Sequence, residues 1–171
     1  MSVSPKPEPA PELRPSTNRL LLLAGNVERK RLIAAHPEAV LVSARLPLRA
    51  NLTVLENIAV VPQFRRGMRV AEAERHALDL LERVGCADCA YRRDPDLDHE
   101  QRFLAKLLRA IVLEPTIILI DRPGRLLPDT FYPRFLKTTL AALNGRYEQC
   151  WIVDYKWNAP LYLPPGSGTS A

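Results

Sequence analysis

Leu97-Asp98-His99-Glu100-Gln101-Arg102-Phe103-Leu104-Ala105-Lys106-Leu107-Leu108-Arg109-Ala110-Ile111-Val112-Leu113-Glu114-Pro115-Thr116-Ile117-Ile118-Leu119-Ile120-Asp121-Arg122-Pro123 sets the architecture of this chain. Leu104, Leu107, Leu108, Ile111 and Val112 recur at helical spacing on one face. Asp98, with Gln101 three residues on, predicts a capping box at the helix start. Pro115 ends the helix. Thr116 to Ile120 is then an unbroken apolar run, mostly β-branched, as in a strand covered on both faces. The strand delivers one carboxylate, Asp121, at its carboxyl end, where open α/β sheets hold their ligands.

Outward from that stretch, strands alternate with helices and no hairpin signal intervenes, which predicts a parallel sheet. Strands are expected at Arg19 to Ala24, Ala39 to Ser43 and Gln149 to Val153. Helices are expected at Val27 to His36, from Thr53 with Glu56 as capping partner, from Val70 to a stop at Gly85, and over Phe131 to Leu143. Pro62 to Gly67 and Gly124 to Pro128 read as loops. The whole divides into a leader at 1–17 carrying Pro5, Pro7, Pro9, Pro11 and Pro15, a folded domain at 18–163, and a Pro/Gly/Ser tail at 164–171. At 171 residues and 47% hydrophobic content, the chain suits one sizeable core. No apolar run reaches bilayer length, and the opening lacks the apolar core of a signal peptide, so a cytoplasmic protein is expected.

Three blocks resemble ATP-binding cassette (ABC) ATPases, nearest to those of bacterial lipid-trafficking systems. Leu108 to Pro115 followed by Ile117 to Pro123 is similar to that family's A-R-A-L-x-L-x-P helix end and its Walker B strand, which closes D-E-P. Leu52-Thr53-Val54-Leu55-Glu56-Asn57-Ile58 resembles L-T-V-L-E-N-V, and Ala77 to Gly85 resembles A-L-E-L-L-E-R-V-G. The resemblance implies a P-loop NTPase-like α/β fold: a parallel core, a helical subdomain at about 51–114, and an antiparallel β-subdomain reduced or missing.

The departures fall on the positions that the family uses for chemistry. Leu97-Asp98-His99-Glu100-Gln101 stands where the family has L-S-G-G-Q, whose glycines let backbone N–H groups approach a phosphate. Two carboxylates there are unfavourable to a triphosphate: like charges 4 Å apart repel by about 4 kcal/mol at an effective dielectric of 20. Arg122 replaces the catalytic glutamate, and a guanidinium cannot take a proton from water. Tyr155 replaces the switch histidine, and Ala44 the Q-loop glutamine. A phosphate loop needs G-x-x-x-x-G-K-[ST]. This chain reads Ala24-Gly25-Asn26-Val27-Glu28-Arg29-Lys30-Arg31, with Lys30 one residue out of register and Glu28 adding negative charge.

Gly25, Lys30, Asp121, Arg122 and Tyr155 are therefore remnant positions, with no nucleotide, cofactor or catalytic residue expected. Asp121 is expected to pair with Arg122 or a helix N-terminus rather than a metal. Cys86-Ala87-Asp88-Cys89 has metal-pair spacing but too few companions, and its place after a helix predicts raised thiol pKa values. The net charge of +5 is scattered, reading as solvated helix faces rather than a nucleic-acid surface.

The expected function is thus a non-catalytic cassette-like scaffold or regulatory subunit of a membrane transport complex. Its implied partners are the membrane subunit or a catalytic cassette, a dimer being compatible, with a peripheral place at the cytoplasmic face of the inner membrane. Leu52, Val54, Gln63, Phe64 and Arg65 are the docking candidates that the resemblance implies. The alternatives are a subunit lending Arg102 or Arg122 to a composite ATPase site, and a basic nucleic-acid-binding protein.

Overall fold

Among the described residues, four strands form one parallel sheet: β1 (Thr17–Leu23), β2 (Val40–Val42), β3 (Ile117–Asp121) and β4 (Gln149–Tyr155), in the order β1-β4-β3-β2. The computed structural model describes residues 15–163. The expected tail at 164–171 lies outside the described residues, as does nearly all of the expected leader. The leader's last residues do not stay apart: the Ser16 hydroxyl donates to the Tyr147 carbonyl at 2.6 Å, and Thr17 already opens β1.

The apolar run at Ile118, Leu119 and Ile120 is fully buried, because β3 lies between two strands and under helices. Register places Leu23 beside Tyr155, Asp121 beside Val153 and Val42 beside Ile120. All four strands therefore end on one edge of the sheet. That edge gathers Gly25, Ser43, Asp121 and Tyr155 from four distant parts of the chain.

The helices are α1 (Asn26–Ala35), α2 (Val54–Arg66), α3 (Val70–Arg83), α4 (His99–Ile111), α5 (Tyr132–Ala142) and a short α6 (Ala159–Tyr162). Both expected capping boxes are present. The Thr53 hydroxyl accepts from Glu56 N at 3.2 Å while the Glu56 carboxylate accepts from Thr53 N at 2.7 Å. Asp98 and Gln101 make the same reciprocal pair at 2.8 and 3.2 Å. Phe103, Leu107, Leu108 and Ile111 of α4 are buried in the core, each worth about 1.5–3 kcal/mol.

Some local expectations are corrected. Helix α2 does not stop at Pro62 but runs through it to Arg66. Pro62 removes one donor, while the left-handed Gly67 (φ 62°) supplies the stop, with its N–H returning to the Pro62 carbonyl. Helix α4 ends at Ile111, ahead of Pro115, as Glu114 turns left-handed (φ 53°). Pro123–Arg125 forms a 3₁₀ turn rather than an open loop.

The L-T-V-L-E-N block explains itself. The buried Asn57 side chain accepts from Arg49 N at 2.8 Å and donates to the carbonyls of Arg49, Leu52 and Thr53 at 2.9–3.2 Å. One amide thus satisfies a whole irregular turn. Arg109 of α4 reaches the carbonyls of Leu46 and Pro47 at 3.1 and 2.8 Å, clamping the segment that follows β2.

Candidate functional site

Asp121 is the centre of the carboxyl edge, and its strongest partner is a residue that the sequence reading passed over. Arg29 Nη1 meets Asp121 Oδ2 at 2.9 Å, with the two side chains only 4% and 1% exposed. The rest of the guanidinium is held by Asn26 Oδ1, from Nε at 3.1 Å and Nη2 at 2.9 Å. Ser43 Oγ donates to Oδ2 at 3.4 Å. Arg122 does pair with Asp121 as expected, its Nε reaching Oδ1 at 3.3 Å. Buried opposite charges this close are strongly interdependent: removing one partner typically costs about 3–5 kcal/mol. The signal for Arg29 was present as Asn26-x-x-Arg29, an i, i+3 pair in the first helical turn. Lys30, the cation nearer to phosphate-loop register, is exposed.

The geometry of the loop before α1 explains why Arg29 turns inward. Gly25 is the N-cap, with extended backbone (φ −177°), and the helix begins at Asn26. The residues that a phosphate loop would hold open are thus already helical. Arg29 N donates to the Gly25 carbonyl at 3.2 Å as an ordinary first-turn bond. The Glu28 carboxylate accepts from Ala24 N at 2.8 Å, so an internal anion takes that backbone donor.

The N-terminus of α4 is occupied in the same way. Asp98 caps it, and Leu97 is buried, its carbonyl accepting from Arg102 Nη2 at 2.9 Å. His99 Nδ1 contacts Asp129 Oδ2 at 3.0 Å, and Glu100 accepts from the Thr130 hydroxyl at 2.9 Å. Gln101 serves in the capping box.

At the end of β4, Tyr155 stacks on Trp157 (4.2 Å between centroids, 28° between planes). Its neighbour Asp154, the first residue of the Asp154-Tyr155-Lys156 stretch at the switch position, is buried and fully engaged. Oδ2 accepts from Tyr132 Oη at 3.0 Å and Tyr162 Oη at 2.8 Å, and Oδ1 from Tyr155 N and Asn158 Nδ2, both at 2.8 Å. Burial, with Asp154 alongside, pushes the Tyr132 phenol up to about 12 and Tyr162 upward as well.

The docking candidates separate by exposure. Val54 is buried in the core and its N–H bonds to the Arg92 carbonyl, so it packs α2 rather than meeting a partner. Leu52 and Gln63 are half-buried, whereas Phe64 is 82% exposed beside the exposed Arg65. The cysteines depart from the dipole expectation in one respect. Cys89 is raised, but a hydrogen bond from Cys89 holds Cys86 below the usual thiol range.

No protein-family model matches the chain. Among curated proteins, it is 37% identical over 73 residues to the glutamate transport ATP-binding protein GluA of Corynebacterium glutamicum, covering 43% of this chain and 30% of that one. It is 34% identical over 110 residues to the lipoprotein-releasing system ATP-binding protein LolD of Jannaschia sp., covering 64% and 48% respectively. The glutamine transport ATP-binding protein GlnQ of Escherichia coli matches at 35% over 86 residues, 50% of this chain and 36% of that one. The chain spans about a third to a half of the length of these relatives. Among solved structures, the dimeric bacterial ABC transporter cassette MJ0796 superposes with a TM-score of 0.57 at 23% identity, covering 77% of this chain and 59% of that one. Its post-hydrolysis dimer bound to ADP and Pi gives 0.55 at 24%, covering 75% and 57%. The chain therefore has the fold of the ABC ATPase cassettes and, over part of its length, is similar to ABC transporter ATP-binding proteins. Amino-acid transport and lipoprotein-releasing proteins match it alike.

Proposed function

We propose that this chain is a non-catalytic, cassette-like module that serves a membrane transport complex by binding rather than by hydrolysis. The observation that carries this reading is the buried Arg29–Asp121 pair. A strand-end carboxylate that would otherwise face Mg²⁺ is neutralised by a guanidinium from inside the fold, and a second guanidinium, Arg122, holds its other oxygen. The residues present do not fit a metal–triphosphate group. A divalent cation would have to displace Arg29 or Arg122 from Asp121, and α1 begins too early to leave a nest of free N–H groups. The capped start of α4, with Asp98 and Glu100 beside Asp129, adds negative charge where the family presents a helix N-terminus to phosphate.

The alternative of a residue lent to a composite ATPase site is disfavoured by two side chains. Arg102 is bound to Asp94 at 2.8 Å and to two carbonyls, and Arg122 is folded onto Asp121. A nucleic-acid surface is likewise disfavoured. Arg29 is buried, Arg66 binds the Leu113 carbonyl and Arg92 faces Asp88. The exposed Phe64–Arg65 end of α2 is the surface best suited to a membrane-subunit partner. Among the described residues no helix is long and apolar enough to cross a membrane, so this contact would be peripheral.

Isothermal titration of the full chain with Mg-ATP tests the reading. No saturable heat is expected. Micromolar binding would overturn it.

A further inference from the structure

A cavity of about 360 Å³ opens on the outer side of the buried ion pair, between α1 and the edge strand β2. Its walls are Ile33 and Ala34 of α1, Leu41 of β2, and Leu46 from the segment after β2. Its floor is Asp121 with Arg29 and Ser43. Lys30 and Arg45 complete the lining, and both are exposed. The apolar walls alone would suit any small hydrophobe, but the charges are one-sided. Three cations stand against one carboxylate, and that carboxylate is already matched by Arg29 and Arg122. Among the described residues no acid lies within ion-pair distance of Lys30 or Arg45. Pockets that hold small molecules combine mostly apolar walls with a few convergent polar groups, at volumes from about 300 Å³ upward.

From this we infer that the cavity binds an amphiphilic anion: a singly charged headgroup between Lys30 and Arg45, joined to a short aliphatic chain lying against Ile33, Leu41 and Leu46. A polyphosphate does not fit, since only two cations are unmatched and the floor carries a carboxylate. A cationic or neutral ligand leaves Lys30 and Arg45 without their counter-charge. The cavity includes the remnant positions Lys30 and Asp121, so the inference rests on the proposed reading that Arg29 keeps Asp121 matched; the Mg-ATP titration tests that reading separately from the octanoate titration.

The test uses the full chain and octanoate as the probe, followed by isothermal titration. Octanoate is expected to bind saturably at one site, while acetate (headgroup without chain) and octylamine (chain with the opposite charge) give no saturable heat. The double variant K30A/R45A is expected to weaken octanoate by about tenfold or more, as both charge-assisted contacts go. Ala34→Trp, on an exposed helix position, fills the cavity and is expected to abolish binding. Unchanged thermal midpoints in both variants confirm intact folds. The inference is overturned if octanoate fails to saturate, if octylamine binds as well, or if either variant keeps wild-type affinity.

Discussion

Arg29 is the residue on which the chemistry of this edge turns. Its substitution by Ala leaves Asp121 buried with only Arg122 and Ser43, so a loss of about 3–5 kcal/mol in urea unfolding is expected. The double variant R29M/D121L is expected to lose less than R29A alone, because packed apolar groups remove the desolvation cost along with the attraction. Equal or greater loss in the double variant would contradict this. Tyr132 gives a pH dependence. An acid whose folded pKa lies near 12, against about 10 unfolded, keeps its proton more readily in the folded state. Its contribution is therefore complete below pH 10 and is lost as pH rises towards 12. Tyr132→Phe should make that alkaline loss shallower, measured as unfolding free energy across this range. At this scale the sequence is a partial guide. Asp121 and Arg122 stand out because a strand end exposes them to motif comparison. Arg29 matters through Asp121, 92 residues away, which spacing cannot reveal, and Asp154 through the phenols of Tyr132 and Tyr162 that the fold brings onto it.

The starts of α2 and α4 were the most legible elements, since capping boxes depend on two residues three apart. Asp98→Ala and Thr53→Ala should each cost about 1 kcal/mol by losing a cap. Asn57→Ala should cost more than either cap, in the range of about 1–3 kcal/mol, because it strands the buried donor and acceptors of the 49–53 turn. Thermal or urea melts of the three variants side by side check the ranking, and an Asn57→Ala cost below both caps would contradict it. Pro62 misled for a physical reason. It sits where one missing N–H is tolerated, and the left-handed Gly67 beyond it is the true stop. The start of α1 was harder still: a glycine after a strand fits both an open loop and an N-cap, and local sequence does not separate them.

For the molecule as a whole, the α/β class and the parallel sheet followed from the alternation of apolar runs and amphipathic helices. Strand order did not. Despite its four consecutive leucines, β1 is an edge strand, with Leu20 39% exposed. The parallel order is what converts scattered positions into a site, bringing Gly25, Ser43, Asp121 and Tyr155 to one edge. The positions that the resemblance singles out have internal partners: Glu28 for the Ala24 amide, Asp98 for the α4 start, Arg29 for Asp121. On the proposed reading, in which protein groups take the places of phosphate and metal, the fold is expected to hold its shape without nucleotide.

The backbone amide of Gly25, followed by ¹⁵N-correlated NMR while Mg-ATP is raised to millimolar excess, reads that expectation at the point where a phosphate would first be felt. The signal is expected to stay in place, together with the Arg29 guanidinium resonance. A saturable shift of both would mean that the triphosphate displaces Arg29 from Asp121, and would contradict the non-catalytic reading.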